Sequence, residues 1–146
     1  MKQQNVSNER QMGFTLIELM MVIVIAAILL SLAIPAYNDS VRKTRRNDAK
    51  ATMLSIAQGL ERCFTVNSTY DGCFVGNNLP GSLATTPPNA SGAGVYYNLS
   101  YIGGGTTLST WYTVLSVPAN DQANDSCGTL SLTSTGDKRP MTNGCW

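Results

Sequence analysis

The sequence contains no histidine among its 146 residues. Histidine is the commonest general base and the commonest metal ligand, so its absence removes both roles from this chain. Serine and threonine are abundant, but no base accompanies them in a pattern that would activate a hydroxyl nucleophile. The sequence therefore argues against an enzyme, and it predicts no cofactor.

Charged residues are also few, at 13% of the chain, and the net charge of +1 says little about partners. Their distribution is uneven, with six basic and three acidic residues from position 39 to 62, and two basic and four acidic residues from position 63 onward. Asp121, Asp125 and Asp137 raise the question of calcium, but they do not form the regularly alternating set of a calcium loop. We expect these carboxylates to lie in solvated loops and predict no metal site.

Only four cysteines are present, and all follow the N-terminal apolar run. No Cys-x-x-Cys pair exists and no histidine could complete a zinc site. An even number of cysteines in a small, loop-rich, exported region indicates disulfides, and four cysteines allow three connectivities. Proximity in the sequence favours the pairs Cys63–Cys73 and Cys127–Cys145.

The chain does contain one long apolar run, residues 14–34, whose only polar members are Thr15, Glu18 and Ser31. About 20 apolar residues span a bilayer as a helix. A removable secretory signal is disfavoured, because the run exceeds the roughly 7–15 residues of a signal core and includes a carboxylate. A plain signal anchor leaves Glu18 unexplained, although an acidic residue in a membrane helix indicates a functional site.

A third interpretation accounts for Glu18. The segment Gly13-Phe14-Thr15-Leu16-Ile17-Glu18 resembles the processing site of the type IV pilin family. The resemblance implies a leader over residues 1–13, removed after Gly13 by a prepilin peptidase and methyltransferase that then methylates the amine of Phe14. It also implies a transmembrane and filament-core helix over residues 14–35, with a kinking proline at Pro35.

Glu18 needs a partner because a carboxylate in an apolar segment is costly. Cleavage after Gly13 would place a positive amine at a helix N-terminus, where the helix dipole disfavours it. Glu18 could pair with the amine of its own Phe14. The resemblance instead implies that Glu18 pairs with the amine of a neighbouring subunit, so Glu18 and Phe14 are the expected docking residues.

Beyond Pro35 the pattern becomes amphipathic, over residues 36–66. Apolar residues recur at helical spacing at Tyr37, Val41, Ala49, Met53, Ile56, Ala57, Leu60 and Phe64. Since proline removes one donor, it should loosen the helix rather than end it, giving one helix from about Phe14 to Thr65.

A basic band follows the apolar run and consists of Arg42, Lys43, Arg45 and Arg46. It could contact nucleic acid or lipid, contact other subunits, or be a solvated face with local partners such as Asp39 and Asp48. The positive-inside rule would place the band in the cytoplasm. The resemblance places it outside, as do the cysteines, which need an oxidising compartment.

The C-terminal part predicts a loop over residues 67–94, then an antiparallel sheet and a disulfide-closed loop over residues 95–146. Strands are expected at Val95–Ile102, Leu108–Val117 and Thr129–Thr133, with a turn at 103–105 and Pro118 ending the second strand. The fold class is α+β, a long N-terminal helix packed on a small antiparallel sheet of three to four strands.

This order of elements is similar to the whole type IV pilin fold. The segments 45–50, 60–63 and 123–128, with a final Cys145-Trp146, look like PilE-type minor pilins of gammaproteobacteria. The resemblance implies a structural subunit, anchored in the inner membrane with a cytoplasmic N-terminus and then packed with major and minor pilins into an extracellular fimbrium.

The processes implied are pilus assembly, twitching motility, adhesion and DNA uptake. The alternatives are a pseudopilin of type II secretion and a DNA-uptake receptor displayed on the pilus. Phosphate neutralisation would require exposed basic residues, and Lys138 and Arg139 are the only basic pair after Cys63. They are the candidate DNA contacts.

Overall fold

The structure, a computed structural model, describes residues 13–74, 79–103 and 110–146. One long helix, α1 (Leu16–Asn67), continues through Pro35, as expected. Residue contacts divide the chain into two units, Met1–Asn38 and Asp39–Trp146, and we call the second the globular unit. The predicted leader lies outside the described residues except for Gly13.

In the globular unit, one face of α1 is buried. The buried residues recur every three or four positions, which places them on one side of a helix: Arg46, Ala49, Met53, Ile56, Ala57 and Leu60. The predicted apolar stripe is thus confirmed from Ala49 to Leu60. Its assignment to Tyr37 is wrong, since that side chain is 70% exposed and precedes the globular unit.

Five antiparallel strands form one sheet in the order β1-β2-β3-β4-β5. Their bounds are β1 (Thr85–Thr86), β2 (Tyr97–Gly103), β3 (Tyr112–Pro118), β4 (Leu130–Thr133) and β5 (Lys138–Arg139). The three longer strands lie where strands are predicted, and β3 ends at Pro118. The expected number, three to four, is too low because β1 and β5 have two residues each, too few to produce a periodic pattern.

The strand register aligns one apolar row across the sheet. Tyr101 pairs with Val114, and Val114 pairs with Leu132. These residues and their same-face neighbours form the core with α1. The buried apolar strand residues are Tyr97, Leu99, Tyr101, Tyr112, Val114, Leu130 and Leu132. The α+β class and the packing of the amphipathic half of α1 on the sheet are confirmed.

The segment predicted as a loop contains three short elements: helix α2 (Gly81–Ala84), strand β1 and a 3₁₀ turn at Gly92–Gly94. A second 3₁₀ turn, Asn120–Gln122, follows β3. Of the turn predicted at 103–105, Gly103 is the last residue of β2, and positions 104 and 105 lie outside the described residues. The same holds for the first two residues of the predicted second strand, 108 and 109.

Two disulfides close local segments, Cys63–Cys73 and Cys127–Cys145, each with Cα atoms 5.6 Å apart. They are the pairs that sequence proximity favours. The first joins the last turns of α1 to the segment that follows the helix. The second encloses β4 and β5, so it fixes the C-terminal end of the sheet.

Replacing Cys63 and Cys73 together by serine should lower the free energy of unfolding of the globular unit by about 2–3 kcal/mol. The bond closes a segment with a sequence separation of 10, and the chain-entropy cost of freeing such a short loop is of this size. Urea unfolding of the full chain in detergent, followed by tryptophan fluorescence, measures the change. A loss below about 0.5 kcal/mol would contradict the prediction.

Candidate functional site

The candidate docking segment begins at Gly13 and enters α1 through a capping box. Thr15 accepts a hydrogen bond at its Oγ1 from the Glu18 N–H, at 3.3 Å, while the Thr15 N–H donates to Glu18 Oε2 at 3.5 Å. Such a reciprocal pair satisfies two otherwise unpaired N–H groups at a helix start. This capping role was not predicted, although the Thr-x-x-Glu spacing is the sequence signal for it.

Behind this cap, α1 presents an apolar surface on all sides. Phe14 is 89% exposed, and every described residue from Gly13 to Ser40 is exposed. By length and composition this is a helix that could cross a membrane. Burying an apolar side chain of this size contributes about 1.5–3 kcal/mol, so the segment gains stability only when lipid or another protein covers it.

In the globular unit, Arg46 and Asp125 form a buried ion pair between α1 and the loop that precedes Cys127. Arg46 Nε donates to Asp125 Oδ2 at 2.9 Å, and Nη2 donates to Oδ1. The side chains are 7% and 0% exposed. Arg46 Nη1 also donates to the carbonyl of Gly144 at 3.1 Å, so one guanidinium contacts both ends of the Cys127–Cys145 segment.

Two uncharged side chains complete this network. The Tyr97 hydroxyl donates to Asp125 Oδ2 and accepts from Gln122 Nε2 at 3.0 Å. Gln122 Nε2 also donates to the carbonyl of Arg42, at 3.1 Å. The network therefore connects α1, β2 and the loop before Cys127.

Burial and these hydrogen bonds set the protonation states in the network. Burial, with the hydrogen bond to Asp125, raises the pKa of Tyr97 to about 12. Burial acts to raise the pKa of Asp125, but hydrogen bonds from Arg46 and Tyr97 outweigh it and hold the pKa below its ordinary value. The Asp125 hydrogen bond raises the pKa of Arg46. The pair is therefore fully ionised near neutral pH.

The arginines of the basic band have different partners. Arg42 lies 3.9 Å from Asp39, and Arg45 lies 4.0 Å from Asp121 with its guanidinium 3.9 Å from the centre of the Tyr96 ring. The expected local partner Asp39 is confirmed for Arg42. A solvated face is the wrong description for Arg46, and a solvated loop is wrong for Asp125.

A second polar cluster fixes the segment after α1. The hydroxyls of Tyr70 and Tyr112 donate to Glu61, at 3.1 and 3.0 Å to Oε1. Phe64 stacks on Tyr70 with ring centres 4.5 Å apart. Burial, aided by Glu61, raises the pKa of Tyr70 and Tyr112, so both hydroxyls stay protonated and continue to donate.

The candidate DNA contacts lie on the short edge strand β5, and both residues are exposed. The Lys138 ammonium is 5.5 Å from the centre of the Trp146 ring, whose Nε1 donates to the carbonyl of Arg139 at 2.7 Å. The result is an exposed basic pair beside an aromatic ring. Within the described ranges, no group of three or more His, Cys, Asp or Glu residues could hold a metal ion.

Comparison with known proteins identifies the family. The family model described as "Type IV minor pilin ComP, DNA uptake sequence receptor" matches residues 35–131, about two thirds of the chain. The chain belongs to the type IV pilin family. A second model, the prokaryotic N-terminal methylation motif, matches residues 10–34 and therefore covers the Gly13-Phe14 junction, Glu18 and the apolar run of this pilin.

Two curated relatives match the chain over alignments of similar length. The pilin is 41% identical over 78 residues to prepilin peptidase-dependent protein D of Escherichia coli K12, covering 53% of each chain. It is 38% identical over 79 residues to a fimbrial protein of Neisseria meningitidis serogroup B, covering 54% of this chain and 44% of the relative. The matches thus span about half the length of these relatives.

A solved structure supports the fold. The structure of a type IV pilin from Shewanella oneidensis aligns with a TM-score of 0.54 and 32% identity, covering 72% of this chain and 97% of that one. The predicted pilin fold is confirmed. Type IV pilins are structural proteins, which agrees with the expectation that this chain is not an enzyme.

Proposed function

We propose that this chain is a minor pilin, made as a prepilin and cut after Gly13 by a prepilin peptidase that also methylates Phe14. Residues 14–35 then hold it in the inner membrane, with the N-terminus in the cytoplasm, before it joins other pilins in an extracellular filament. The observation that carries this proposal is the exposed apolar surface of α1 behind Gly13 and Phe14. Both disulfides lie in the globular unit, which suits an oxidising compartment.

Subunit entry into the filament would use Phe14 and Glu18. Among the residues that the structure describes, Glu18 is engaged only by Thr15, through exposed hydrogen bonds of 3.3–3.5 Å. A carboxylate held this loosely is available to the amine of an incoming or neighbouring subunit. Covering the apolar surface around it would lower the local dielectric and strengthen that pair.

Gly13→Val should block removal of the leader, because a branched side chain would replace the small residue at the cleavage junction. We expect the uncut chain, with its leader and no methyl group on Phe14, to stay in the membrane fraction and to be missing from sheared filaments. Mass spectrometry of both fractions measures this. The exposed substitution Val66→Ala, at the other end of α1, serves as a control and should leave processing intact.

The phenotype of a deletion strain distinguishes a pilus subunit from a type II pseudopilin and from a DNA receptor. Deletion of the gene should reduce filament number, and with it twitching motility, adhesion and DNA uptake. Loss of protein secretion with normal filaments would instead identify a type II pseudopilin. Loss of DNA uptake alone, with normal filaments and motility, would identify a DNA receptor.

A DNA-receptor function is the second candidate, because the family model that matches residues 35–131 carries that description. The match ends before β5, so Lys138 and Arg139 are an independent hypothesis for the contact. The half-buried Trp146 ring beside Lys138 could stack on a base while the Lys138 and Arg139 cations neutralise phosphates.

Lys138→Ala with Arg139→Ala should weaken binding of a short DNA duplex to the full chain in detergent. The slope of log affinity against log salt should fall by about 2, since each lost phosphate contact lowers it by roughly 1. Lys50→Ala with Arg62→Ala removes the same charge elsewhere and is the control. Unchanged affinity in the β5 variant would place the DNA contact within residues 35–131 instead. If the wild type binds no DNA, the DNA-receptor function is wrong.

A further inference from the structure

A cleft of about 280 Å³ opens in the globular unit between α1 and the loop before Cys127. The helix side is formed by Asp39, Arg42, Lys43 and Arg46. The loop side is formed by Asn124, Asp125 and Ser126. We call it the basic cleft. Its volume far exceeds the roughly 30 Å³ of one water and approaches the lower end of small-ligand pockets.

Most charges in the basic cleft already have partners. Arg46 and Asp125 neutralise each other in the buried pair, and Arg42 faces Asp39 at 3.9 Å. Across the described ranges, no hydrogen bond or ion pair engages the ammonium of Lys43 or the side chains of Asn124 and Ser126. The cleft therefore offers one unpaired cation and two unpaired polar groups.

An anion is the ligand that such a set would hold. The Lys43 ammonium supplies three donors on a flexible stem, and Asn124 and Ser126 supply an amide and a hydroxyl donor. The Arg42–Asp39 pair is exposed, with side chains 39% and 69% accessible, so Arg42 could exchange Asp39 for a stronger acceptor at little cost. Phosphate oxygens accept hydrogen bonds from all of these groups.

The position of Arg42 and Lys43 along α1 indicates where the phosphate comes from. Arg42 and Lys43 follow Ile34, the last residue of the apolar run, by eight and nine residues in one helix. Lysine side chains near the end of a membrane helix reach toward the headgroup layer. Anionic lipids attract basic residues that lie next to a membrane segment.

We propose that the basic cleft binds the phosphate of an anionic phospholipid headgroup while the subunit is still anchored in the membrane. Lys43 supplies the charge, and Asn124 and Ser126 orient the phosphate. This inference rests on the membrane-anchored stage of the proposed function. The lipid would hold the globular unit at the membrane surface and would be released when the subunit enters a filament.

The test uses the full chain in detergent micelles, titrated with phosphatidylglycerol or phosphatidylcholine, with bound lipids counted by native mass spectrometry. The wild type should bind one phosphatidylglycerol more tightly than phosphatidylcholine. Lys43→Gln should weaken phosphatidylglycerol binding about fivefold, the equivalent of about 1 kcal/mol for one basic residue near a lipid surface. Asn124→Ala, in an exposed loop position, should weaken it as well.

Arg62→Gln is the matched control, because Arg62 is an exposed basic residue of the same helix outside the cleft. Equal phosphatidylglycerol binding by the wild type and Lys43→Gln would overturn the proposal, as would an equal loss in Arg62→Gln. Displacement by inorganic phosphate with the affinity of the lipid would show a simple anion site. Lys43-dependent binding of a DNA duplex in preference to lipid would show a nucleic-acid site.

Each of these last two outcomes overturns the assignment to a headgroup. The pilin function fails by a different observation, because it depends on cleavage after Gly13 and on entry into filaments. None of the cleft variants alters the residues proposed for those steps.

Discussion

Arg46→Ala should destabilise the globular unit by about 3–5 kcal/mol. The substitution leaves the Asp125 carboxylate, whose side chain is 0% exposed, without its counter-charge, and an uncompensated buried charge costs this much. It also removes the donor to the Gly144 carbonyl, so the Cys127–Cys145 segment loses a contact at each end. Urea unfolding of the full chain in detergent, followed by tryptophan fluorescence, gives the free energy.

The double variant Arg46→Met with Asp125→Leu should cost less than the sum of the two single changes, because it removes both charges together. Arg62→Ala, an exposed site on the same helix, should change the free energy by no more than about 0.5 kcal/mol. If Arg46→Ala costs less than about 1 kcal/mol, the pair does not stabilise the loop as described.

The same unfolding experiment across pH reports on the ionised pair. The folded pKa of Asp125 is lowered, so its contribution is complete above its ordinary pKa of about 4 and is lost as the pH falls through the folded value. The pKa of Tyr97 is raised to about 12, so its contribution is complete below about pH 10 and is lost as the pH rises through about 12. Asp125→Asn should remove the acid-dependent part.

Glu18→Gln should reduce incorporation into filaments roughly 100-fold or more, although it keeps the helix cap. Glutamine can serve in a capping box as glutamate does, so this change removes the charge with little effect on the start of α1. If Glu18 pairs with an amine within a covered apolar surface, loss of its charge costs about 3–5 kcal/mol. That free energy lowers the equilibrium constant for incorporation by at least about 100-fold. The ratio of filament to membrane protein measures the effect.

Thr15→Ala is the complementary variant. It removes the hydroxyl that caps the helix but leaves the charge, at a cost of about 1 kcal/mol to the helix start. Its incorporation should fall far less than that of Glu18→Gln. Normal incorporation of Glu18→Gln together with a strong defect in Thr15→Ala would assign Glu18 a capping role alone.

The periodic and local parts of this chain were predictable from its sequence. The helix, its passage through Pro35 and the three longer strands follow from repeating apolar patterns. The cysteine pairs follow from short separations. Strands β1 and β5 escaped prediction because each has two residues and depends on a neighbouring strand for its definition.

The buried network was missed because its partners meet only in the folded chain. Arg46 and Asp125 are 79 residues apart, and no local sequence pattern predicts their contact. One signal was available: Arg46 lies three residues before Ala49, in register with the apolar stripe that continues to Met53. A basic residue in that register is buried with the stripe and needs a charge partner, which predicts a carboxylate from another part of the chain.

The most direct test of the central claim, a prepilin matured for filament packing, is the mass of the N-terminal peptide of this subunit in sheared filaments. We expect a peptide that begins at Phe14 and carries one additional methyl group on its amine. A filament subunit that retains residues from the leader, or a chain from which the apolar helix has been removed as a secretory signal, would contradict it.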